Sequence, residues 1–542
     1  MMTRRAFALG ALAQLRTKPN ILLIVTDDQG WWDLGIHGNS VIETPALDKL
    51  GAASVRFNRF YVSPVCAPTR ASLMTGRHYL RTGVYNTRFG GDTMHAGEIT
   101  IAEVLKKAGY KTALFGKWHL GRYAKYHPLR RGFDEALTFS QGHLERYTHP
   151  DQLNWNRTPV EARGHVSDVI ANSARSYLLA NRGRPYFCYV AFNAPHAPLY
   201  APDAYAERYL KKGLSYSDAH MYGMVSHMDA AIGRLLEAVD DNTIVLFMSD
   251  NGGVSKHFTA GLRGFKASAF EGGVRSPLFV RGQDFRPRTV SAVTAHIDIF
   301  PTLCELAGAE VPRDRKIDGV SFAKHLRGES PADPNRRVFH IWDRFAPSLR
   351  SNALGIGGQR YKWVRGQLFD LENDPAEKVD ISAKEPAIAA GLRRELEEWF
   401  ADVTKGQVFE PVPIEVGRDD ENPVEVQASW AAISEGATYT FLGYDWDSVE
   451  KLGVAKWKLD VVRPGGYEIR VSYALAAEAG DAAIAIRIGG AEVTSRIAPS
   501  AGPNVFAVAT MGRTRLPKGP CVMEARATKA EVAINRIWLQ RT

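Results

Sequence analysis

The order of apolar and amphipathic segments constrains the fold of this chain more than any other feature. Five aliphatic residues in a row, Ile21 to Val25, predict a strand that is buried on both faces, as in the centre of a parallel sheet. Further buried strands are predicted at 111–115, 185–192 and 243–248, and amphipathic helices at 100–108 and 222–239. This alternation predicts an α/β fold with a central, mostly parallel sheet flanked by helices.

The pattern changes toward the carboxyl end of the chain. Turn residues at 370–375 and a helical pattern at 386–400 predict a small α+β subdomain, and Glu410 to Pro413 is typical of a linker. Beyond the linker, apolar residues recur with a period of two at 467–473 and 483–488, and 536–539 closes the chain, which favours an all-β sandwich. The predicted domains are an α/β catalytic domain (19–335), a C-terminal subdomain (336–408) and a β-sandwich (409–542).

Aromatic residues of the predicted sandwich allow two interpretations. They pack in the core of the sandwich, as aromatics at alternating strand positions usually do, or they form a platform that binds carbohydrate. The residues concerned are Trp430, Tyr439, Tyr444, Trp446 and Trp457.

The first 18 residues predict export. Thr3-Arg4-Arg5-Ala6-Phe7 precedes a short apolar stretch and Ala11-Leu12-Ala13, a pattern similar to a twin-arginine signal with its cleavage site. The protein is therefore expected to be periplasmic or secreted, and the alternative is the N-terminus of a cytoplasmic protein. No apolar run approaches the roughly 20 residues that span a bilayer. The net charge of +9 over 542 residues forms no basic block, which argues against a nucleic-acid partner and suits an anionic substrate.

Two of the predicted buried strands end in acidic or amide residues. Asp27 and Asp28 follow the first strand, and Asp250 and Asn251 follow the strand at 243–248. Because ligands bind at the carboxyl ends of strands in open α/β sheets, these side chains are expected to converge. Their oxygen atoms favour a hard cation such as Ca²⁺ or Mg²⁺ over zinc. For either pair alone, a helix cap or a turn is the simpler interpretation.

A cysteine lies at the start of a predicted helix. Pro68 suits a first helical turn, which places Cys66 at the N-terminus and Arg70 on the same face four residues on. Considered on its own, this arrangement predicts a thiol of lowered pKa and a nucleophile for an anionic electrophile. The remaining cysteines, Cys188, Cys304 and Cys521, are expected to be inert, and four scattered cysteines exclude a disulfide framework.

The stretch from Cys66 to Arg77 resembles the C-x-P-x-R…T-G-R signature of the type I sulfatases. These are arylsulfatase-like, formylglycine-dependent enzymes of the alkaline phosphatase superfamily. The resemblance covers about residues 19 to 405. Further motifs that carry it are Asn20–Asp28, Gly116–Gly121, Ala194–Pro198, Ser249–Gly253, Leu262–Lys266 with Glu271–Pro277, and Phe369–Leu371 with Asp374, Pro375 and Glu377.

The resemblance implies a function, cofactors and roles for particular residues. A separate maturase converts Cys66 to formylglycine, whose hydrate attacks the sulfur of a sulfate monoester of an aryl alcohol or a sulfated carbohydrate. One Ca²⁺ is bound by Asp27, Asp28, Asp250, Asn251 and the oxygen of modified Cys66. Arg70 orients the hydrate, Lys117 and Lys266 bind sulfate oxygens, His119 takes a proton during sulfate release, and His196 protonates the leaving group.

Two other functions fit the same motifs. One is a formylglycine-dependent phosphonate monoester hydrolase or phosphodiesterase of the same superfamily, and the other is an inactive, sulfatase-like protein that binds carbohydrate. Substrate specificity is expected from the loops at 123–156 and 200–216, which match no motif. Trp31 and Trp32, beside the first acidic pair, are expected either to line the pocket or to pack in the core. Lys256 and His257 are expected either to line the pocket or to lie on an exposed loop.

Overall fold

The computed structural model describes residues 18–254, 257–440, 448–480, 482–502, 505–529 and 531–542. The predicted export signal, up to residue 17, lies outside the described residues, as do Lys256, Tyr444 and Trp446. Within the described ranges, none of the helices is both long and apolar enough to cross a membrane.

The aliphatic run at Ile21–Val25 forms the middle of a ten-stranded sheet. Its residues are all fully buried, and alternate side chains enter two separate hydrophobic clusters on opposite faces of the sheet. The first thirteen strands are β1 (Asn20–Thr26), β2 (Val55–Phe57), β3 (Phe60–Tyr61), β4 (Lys111–Lys117), β5 (Glu135–Phe139), β6 (Asn154–Trp155), β7 (Thr158–Pro159), β8 (Tyr186–Ala191), β9 (Thr243–Ser249), β10 (Arg275–Ser276), β11 (Leu278–Arg281), β12 (Arg288–Val290) and β13 (Thr294–Ala295).

The strand order of this sheet is β12-β2-β11-β9-β1-β8-β4-β5-β6-β7, and the five strands from β9 to β5 are mutually parallel. Strands β10, β3 and β13 form a separate small sheet. The predicted α/β fold with a mostly parallel central sheet is confirmed. The carboxyl ends of β1, β8, β4 and β9 therefore lie along one edge.

Helices cover both faces of the sheet. The helix predicted at 100–108 is α3, which begins after Thr100 with a capping box to Glu103. The helix predicted at 222–239 is α6, which begins earlier because Ser215 caps it through the backbone N–H of Asp218. The nine helices described in this part are α1 (Pro45–Ala52), α2 (Cys66–Thr75), α3 (Ile101–Lys107), α4 (Val166–Ala180), α5 (Asp203–Lys211), α6 (Tyr216–Leu236), α7 (Glu271–Val274), α8 (Ile299–Ala307) and α9 (Ala323–Arg327).

A four-stranded antiparallel sheet and one long helix follow. Their elements are β14 (Val338–Trp342), β15 (Ala353–Gly357), β16 (Tyr361–Val364), β17 (Gln367–Asp370) and α10 (Pro386–Thr404). Helix α10 buries Leu392 and Leu396 against the same hydrophobic cluster that contains Ile21. This unit is therefore packed onto the central sheet.

The last part of the chain consists of two six-stranded sheets. Their strands are β18 (Ile414–Val416), β19 (Val424–Gln427), β20 (Ala432–Ser434), β21 (Thr438–Thr440), β22 (Ser448–Lys451), β23 (Val454–Val461), β24 (Gly465–Ala474), β25 (Ala482–Ile488), β26 (Ala491–Ile497), β27 (Ala507–Leu516), β28 (Gly519–Ala527) and β29 (Ala533–Arg541). Trp457 and Trp430 are 1% and 8% exposed, which agrees with packing in the core. The domain boundaries stay a prediction.

A buried lysine joins the four-stranded sheet to the main body, which is the ten-stranded sheet with its helices. Lys362 Nζ of β16 lies 2.8 Å from Glu271 Oε1 of α7 and 3.1 Å from Glu377 Oε1. All three side chains are at most 3% exposed. The ion pairs therefore fix the segment that begins at Glu271 to the four-stranded sheet.

Replacing Lys362 with methionine is expected to lower the free energy of unfolding by about 3 to 5 kcal/mol, because two buried carboxylates lose their common counter-charge. Denaturant unfolding measures this effect. The matched control is Lys324→Met on the exposed surface of α9, which should change stability by less than about 0.5 kcal/mol. Equal effects of the two substitutions would contradict the prediction.

Candidate active site

The acidic strand ends meet as predicted. Strands β1 and β9 are adjacent and parallel, and their last residues are register partners, so the two dipeptides that follow lie side by side. The backbone N–H of Asp28 donates to Asp250 Oδ1 at 3.3 Å, and Asn251 Nδ2 donates to Asp28 Oδ1 at 2.8 Å. These residues and Asp27 are at most 4% exposed. Three carboxylates are thus held together in a buried site.

Helix α2 brings Cys66 to these carboxylates. The helix begins at Cys66, and Pro68 lies in its first turn, as predicted. Cys66 Sγ and carboxylate oxygens of Asp27 and Asp250 all lie within 4.8 Å of one another. One turn further, Arg70 donates two hydrogen bonds to Asp250 Oδ2, at 2.9 Å from Nε and 2.7 Å from Nη2. The helix therefore supplies both the cysteine and a guanidinium to the site.

The prediction that the thiol of Cys66 has a lowered pKa is wrong. Cys66 is 2% exposed, and burial raises its pKa, an effect that Lys117 and Lys266 oppose and the carboxylates of Asp27 and Asp250 reinforce. The helix N-terminus and the cations do not outweigh burial beside acidic groups. An unmodified thiol at this position is therefore poorly suited to act as a nucleophile at neutral pH.

Two lysines face the carboxylates. Lys117 is the last residue of β4, and its Nζ lies 2.6 Å from Asp27 Oδ2, with both side chains fully buried. Lys266 Nζ lies 2.6 Å from Asp28 Oδ1. The backbone N–H of Ala267 donates to Pro64 O at 2.8 Å, which ties the lysine segment to the residues before α2. Together with Arg70, the lysines make a preorganised cationic site.

Two histidines complete the group that the motifs predict. His119 is fully buried with a positive φ of 59°, and its Nε2 lies 3.0 Å from the carbonyl oxygen of Thr87. His196 Nε2 lies 3.8 Å from Asp28 Oδ2. Burial, with help from Lys117, holds the pKa of His119 well below its usual range. Burial also lowers the pKa of His196 to about 3, against the opposing effect of Asp28. Both imidazoles are therefore neutral near pH 7 in this arrangement.

The oxygen atoms of the site suit a divalent cation. Asp27 Oδ1 and Asn251 Oδ1 are buried and have no hydrogen-bond partner among the described residues. Burial and the neighbouring Asp27 carboxylate raise the pKa of Asp250 to about 6, although Arg70 lowers it. Buried oxygens without donors, beside carboxylates that repel each other, fit a hard cation such as Ca²⁺ or Mg²⁺. The residues that would hold it are Asp27, Asp28, Asp250 and Asn251.

A pocket of about 860 Å³ opens above Cys66. Its wall includes residues that no motif indicated, because they lie on segments far apart in the chain, most of them irregular. His143 and Glu145 belong to the predicted specificity loop at 123–156, whereas no described residue of 200–216 lines the pocket, since α5 packs against α6 instead. The lining residues that neither belong to a motif nor adjoin one are Asn86, Thr87, Arg88, Phe89, His143, Glu145, Trp342 and Arg344.

The aromatic residues beside the first acidic pair serve packing rather than the pocket. Trp32 is fully buried. The ring of Trp31 stacks on His37 with 4.1 Å between centroids, and the guanidinium of Arg275 lies 4.5 Å from its centre. His257 is exposed, its ring lies perpendicular to the Tyr222 ring with 5.8 Å between centroids, and it is not among the described residues that line the pocket.

Comparisons with known proteins agree with this geometry. Residues 19–309 match the sulfatase family, and residues 265–403 match the C-terminal region of N-sulphoglucosamine sulphohydrolase. N-acetylgalactosamine-6-sulfatase of Homo sapiens is 34% identical over 433 residues, which are 67% of this chain and 81% of the human protein. No match to either family model extends beyond residue 403, so both leave the two six-stranded sheets unmatched.

Solved structures also superpose on this chain. Ps i-CgsB is 30% identical and superposes with a TM-score of 0.67 over 73% of this chain and 95% of that chain, and it has also been crystallised with k-i-k-neocarrahexaose. The phosphonate monoester hydrolase of Agrobacterium radiobacter is 22% identical, with a TM-score of 0.54 over 71% of this chain and 96% of that chain, and shares the fold.

The matched family model and the structural neighbours place the chain in the alkaline phosphatase superfamily, with which the sheet, the strand-end carboxylates and the cationic group around Cys66 agree. Within that superfamily, the family is decided by the match over residues 19–309 and by the similarity to the human enzyme. The chain belongs to the sulfatase family, and it is an enzyme that hydrolyses sulfate esters.

Proposed function

We propose that this sulfatase removes sulfate from sulfated carbohydrates, with Cys66 matured to formylglycine and one Ca²⁺ held by the strand-end residues. The observation that carries the proposal is the convergence of Cys66, which lines an open pocket, with Asp27 and Asp250 within 4.8 Å. A buried thiol of raised pKa is a poor nucleophile, whereas the same position suits a modified residue beside a cation.

The cationic side chains bind and orient the sulfate group. Lys117 and Lys266 act as point charges toward its oxygens, and Arg70 holds Asp250 while it also orients the residue at position 66. Formylglycine would supply, as its hydrate, the attacking hydroxyl that a thiol lacks. The Ca²⁺ would supply positive charge beside the sulfate oxygens and that hydroxyl.

The two histidines move protons. A carbonyl oxygen only accepts hydrogen bonds, so Thr87 places the ring proton of neutral His119 on Nε2 and leaves Nδ1 as the basic nitrogen. His119 would take a proton during sulfate release. His196 would protonate the leaving oxygen, because an anionic sulfate group in the site raises the pKa of a nearby imidazole from the low value caused by burial.

The shape and charge of the pocket favour a sulfated sugar. Arg88 and Arg344 lie in its wall and give it cationic character beyond the residues around Cys66. A protein of 30% identity over most of this chain binds k-i-k-neocarrahexaose, and the human relative is named for a sulfated amino sugar. A pocket of about 860 Å³ has room for a sugar as leaving group.

A substrate panel tests the proposal. We expect kcat/KM for a sulfated oligosaccharide to exceed that for 4-nitrophenyl sulfate, and turnover of phenyl phosphonate esters and phosphodiesters to be lower than both. The phosphonate monoester hydrolase of Agrobacterium radiobacter shares the fold, so this comparison also tests the alternative function. A large preference for the phosphorus esters would overturn the proposed substrate class.

We also propose that residues 1–18 direct the protein to the periplasm or the exterior, where sulfated polymers are found. The twin-arginine pattern carries this proposal. Fusion of these residues to a reporter tests it, and a reporter that stays in the cytoplasm would support the cytoplasmic alternative.

A further inference from the structure

The segment Tyr85–Gly91, termed the active-site loop here, forms one wall of the pocket. Its ends are joined because the backbone N–H groups of Tyr85 and Asn86 both donate to Gly91 O, at 2.8 and 3.0 Å. Residues Asn86 to Phe89 line the pocket. The carbonyl oxygen of Thr87, in the middle of the loop, is the atom that contacts His119 Nε2. The loop therefore supplies a hydrogen-bond partner that orients the His119 ring.

The opposite side of the loop contacts the part of the chain that follows α10. Gly90 has a φ of +75°, and a β-carbon on it would lie 2.9 Å from Pro411 Cβ and 3.0 Å from Trp430 Cδ2. The ring of Phe89 lies 5.4 Å from that of Tyr439, between ring centroids. The loop is thus enclosed between the catalytic pocket and the two six-stranded sheets.

Trp430 is well placed to act as a rigid support. It is 8% exposed, belongs to the hydrophobic cluster of the two six-stranded sheets, and meets the ring of Tyr123 edge-on at 5.0 Å. The same cluster includes Tyr126 from the main body. Because protein cores are close-packed, a large aromatic ring held in a core on one side leaves little room for movement of the loop that it contacts on the other side.

Polar contacts also join the stretch 122–130 to the two six-stranded sheets. Arg122 lies 3.3 Å from Glu425, and Arg130 lies 3.2 Å from Asp420. The backbone N–H of Ala124 donates to the carboxylate of Glu421 at 3.0 Å. These polar contacts surround the shared hydrophobic cluster that contains Tyr123, Tyr126 and Trp430, and it is this apolar contact that holds the interface together.

We propose that the two six-stranded sheets position the catalytic site: Trp430 and Pro411 hold Gly90, and thereby hold the Thr87 carbonyl against His119. Trp430 is a positioning residue in this scheme, because it touches neither substrate nor reacting atoms. The inference rests on the proposed role of His119. It gives the part of the chain beyond residue 403, which neither family model covers, a function other than carbohydrate binding.

The test compares substitutions within the full-length enzyme. Trp430→Ala is expected to lower kcat for 4-nitrophenyl sulfate by roughly 10- to 100-fold with little change in KM, because small displacements of catalytic groups have effects of this size. Trp430→Phe should retain most of the activity. The matched control is Ile486→Ala, a fully buried position on β25 of the same two-sheet unit, which should lose stability but keep its kcat.

All variants are assayed well below their melting temperatures, and rates are divided by the formylglycine content that mass spectrometry measures. An unchanged kcat in Trp430→Ala would overturn the inference, as would an equal loss in Ile486→Ala. His119→Ala separates the proposed role of His119 from the proposed role of Trp430. If His119→Ala keeps activity, the proposed role of His119 fails and the inference with it. If His119→Ala is inactive and Trp430→Ala is normal, the inference alone fails.

Discussion

Replacing Cys66 with serine is expected to abolish multiple turnover, with a loss of at least about 10⁴-fold in kcat, the scale seen when a covalent nucleophile is removed. Serine fits the buried position at the start of α2, so the fold and the ion pair between Arg70 and Asp250 should survive. A serine offers a single hydroxyl and cannot regenerate an aldehyde. Turnover should therefore stop after one cycle, which a burst assay with an aryl sulfate detects.

Cys521→Ser is the matched control, because Cys521 lies on β28 in the two six-stranded sheets and does not line the pocket. That variant should keep the parent rate. Steady turnover by Cys66→Ser at more than a small fraction of the parent rate would contradict the assignment of position 66.

Removing calcium is expected to lower kcat by about 100-fold or more, and adding Ca²⁺ back should restore it. The expectation follows from three buried carboxylates, Asp27, Asp28 and Asp250, and from buried acceptor atoms on Asp27 and Asn251 that have no donor among the described residues. Loss of one preorganised electrostatic contact to a reacting group commonly costs about 10²- to 10³-fold. The measurement is activity against metal content after treatment with a chelator.

Asp27→Asn and Asp229→Asn form a matched pair for this experiment. Both replace a buried aspartate, but Asp229 accepts hydrogen bonds from the backbone N–H groups of Ala46 and Leu47 at the start of α1, outside the proposed site. We expect Asp27→Asn to lose calcium and activity and Asp229→Asn to keep both. Full activity in a protein shown to contain no metal would contradict the calcium assignment.

Much of the site followed from two local patterns in the sequence. The aliphatic run at Ile21–Val25 is buried on both faces, and such strands bring their carboxyl ends to one edge of a sheet. This is why Asp27 and Asp250, which are far apart in the chain, were expected to be neighbours. Proline is favoured in the first turn of a helix, so Pro68 likewise located the start of α2.

Apart from the motif residues and the loop at 123–156, the walls of the pocket could not be predicted, because irregular loops have no periodicity that reports their position. Arg344 follows β14, and Arg88 lies in a loop held by the two six-stranded sheets; only tertiary packing brings them to Cys66. The prediction of a lowered pKa for Cys66 was wrong for a related reason. The sequence shows a nearby arginine and a helix N-terminus, but the burial that raises the pKa depends on the whole fold.

The maturation of Cys66 to formylglycine is tested most directly by mass spectrometry of the peptide that contains position 66, from enzyme purified from its own host. We expect an aldehyde in place of the thiol at position 66, in a fraction of molecules that scales with specific activity. A fully active preparation in which Cys66 retains its thiol would contradict it.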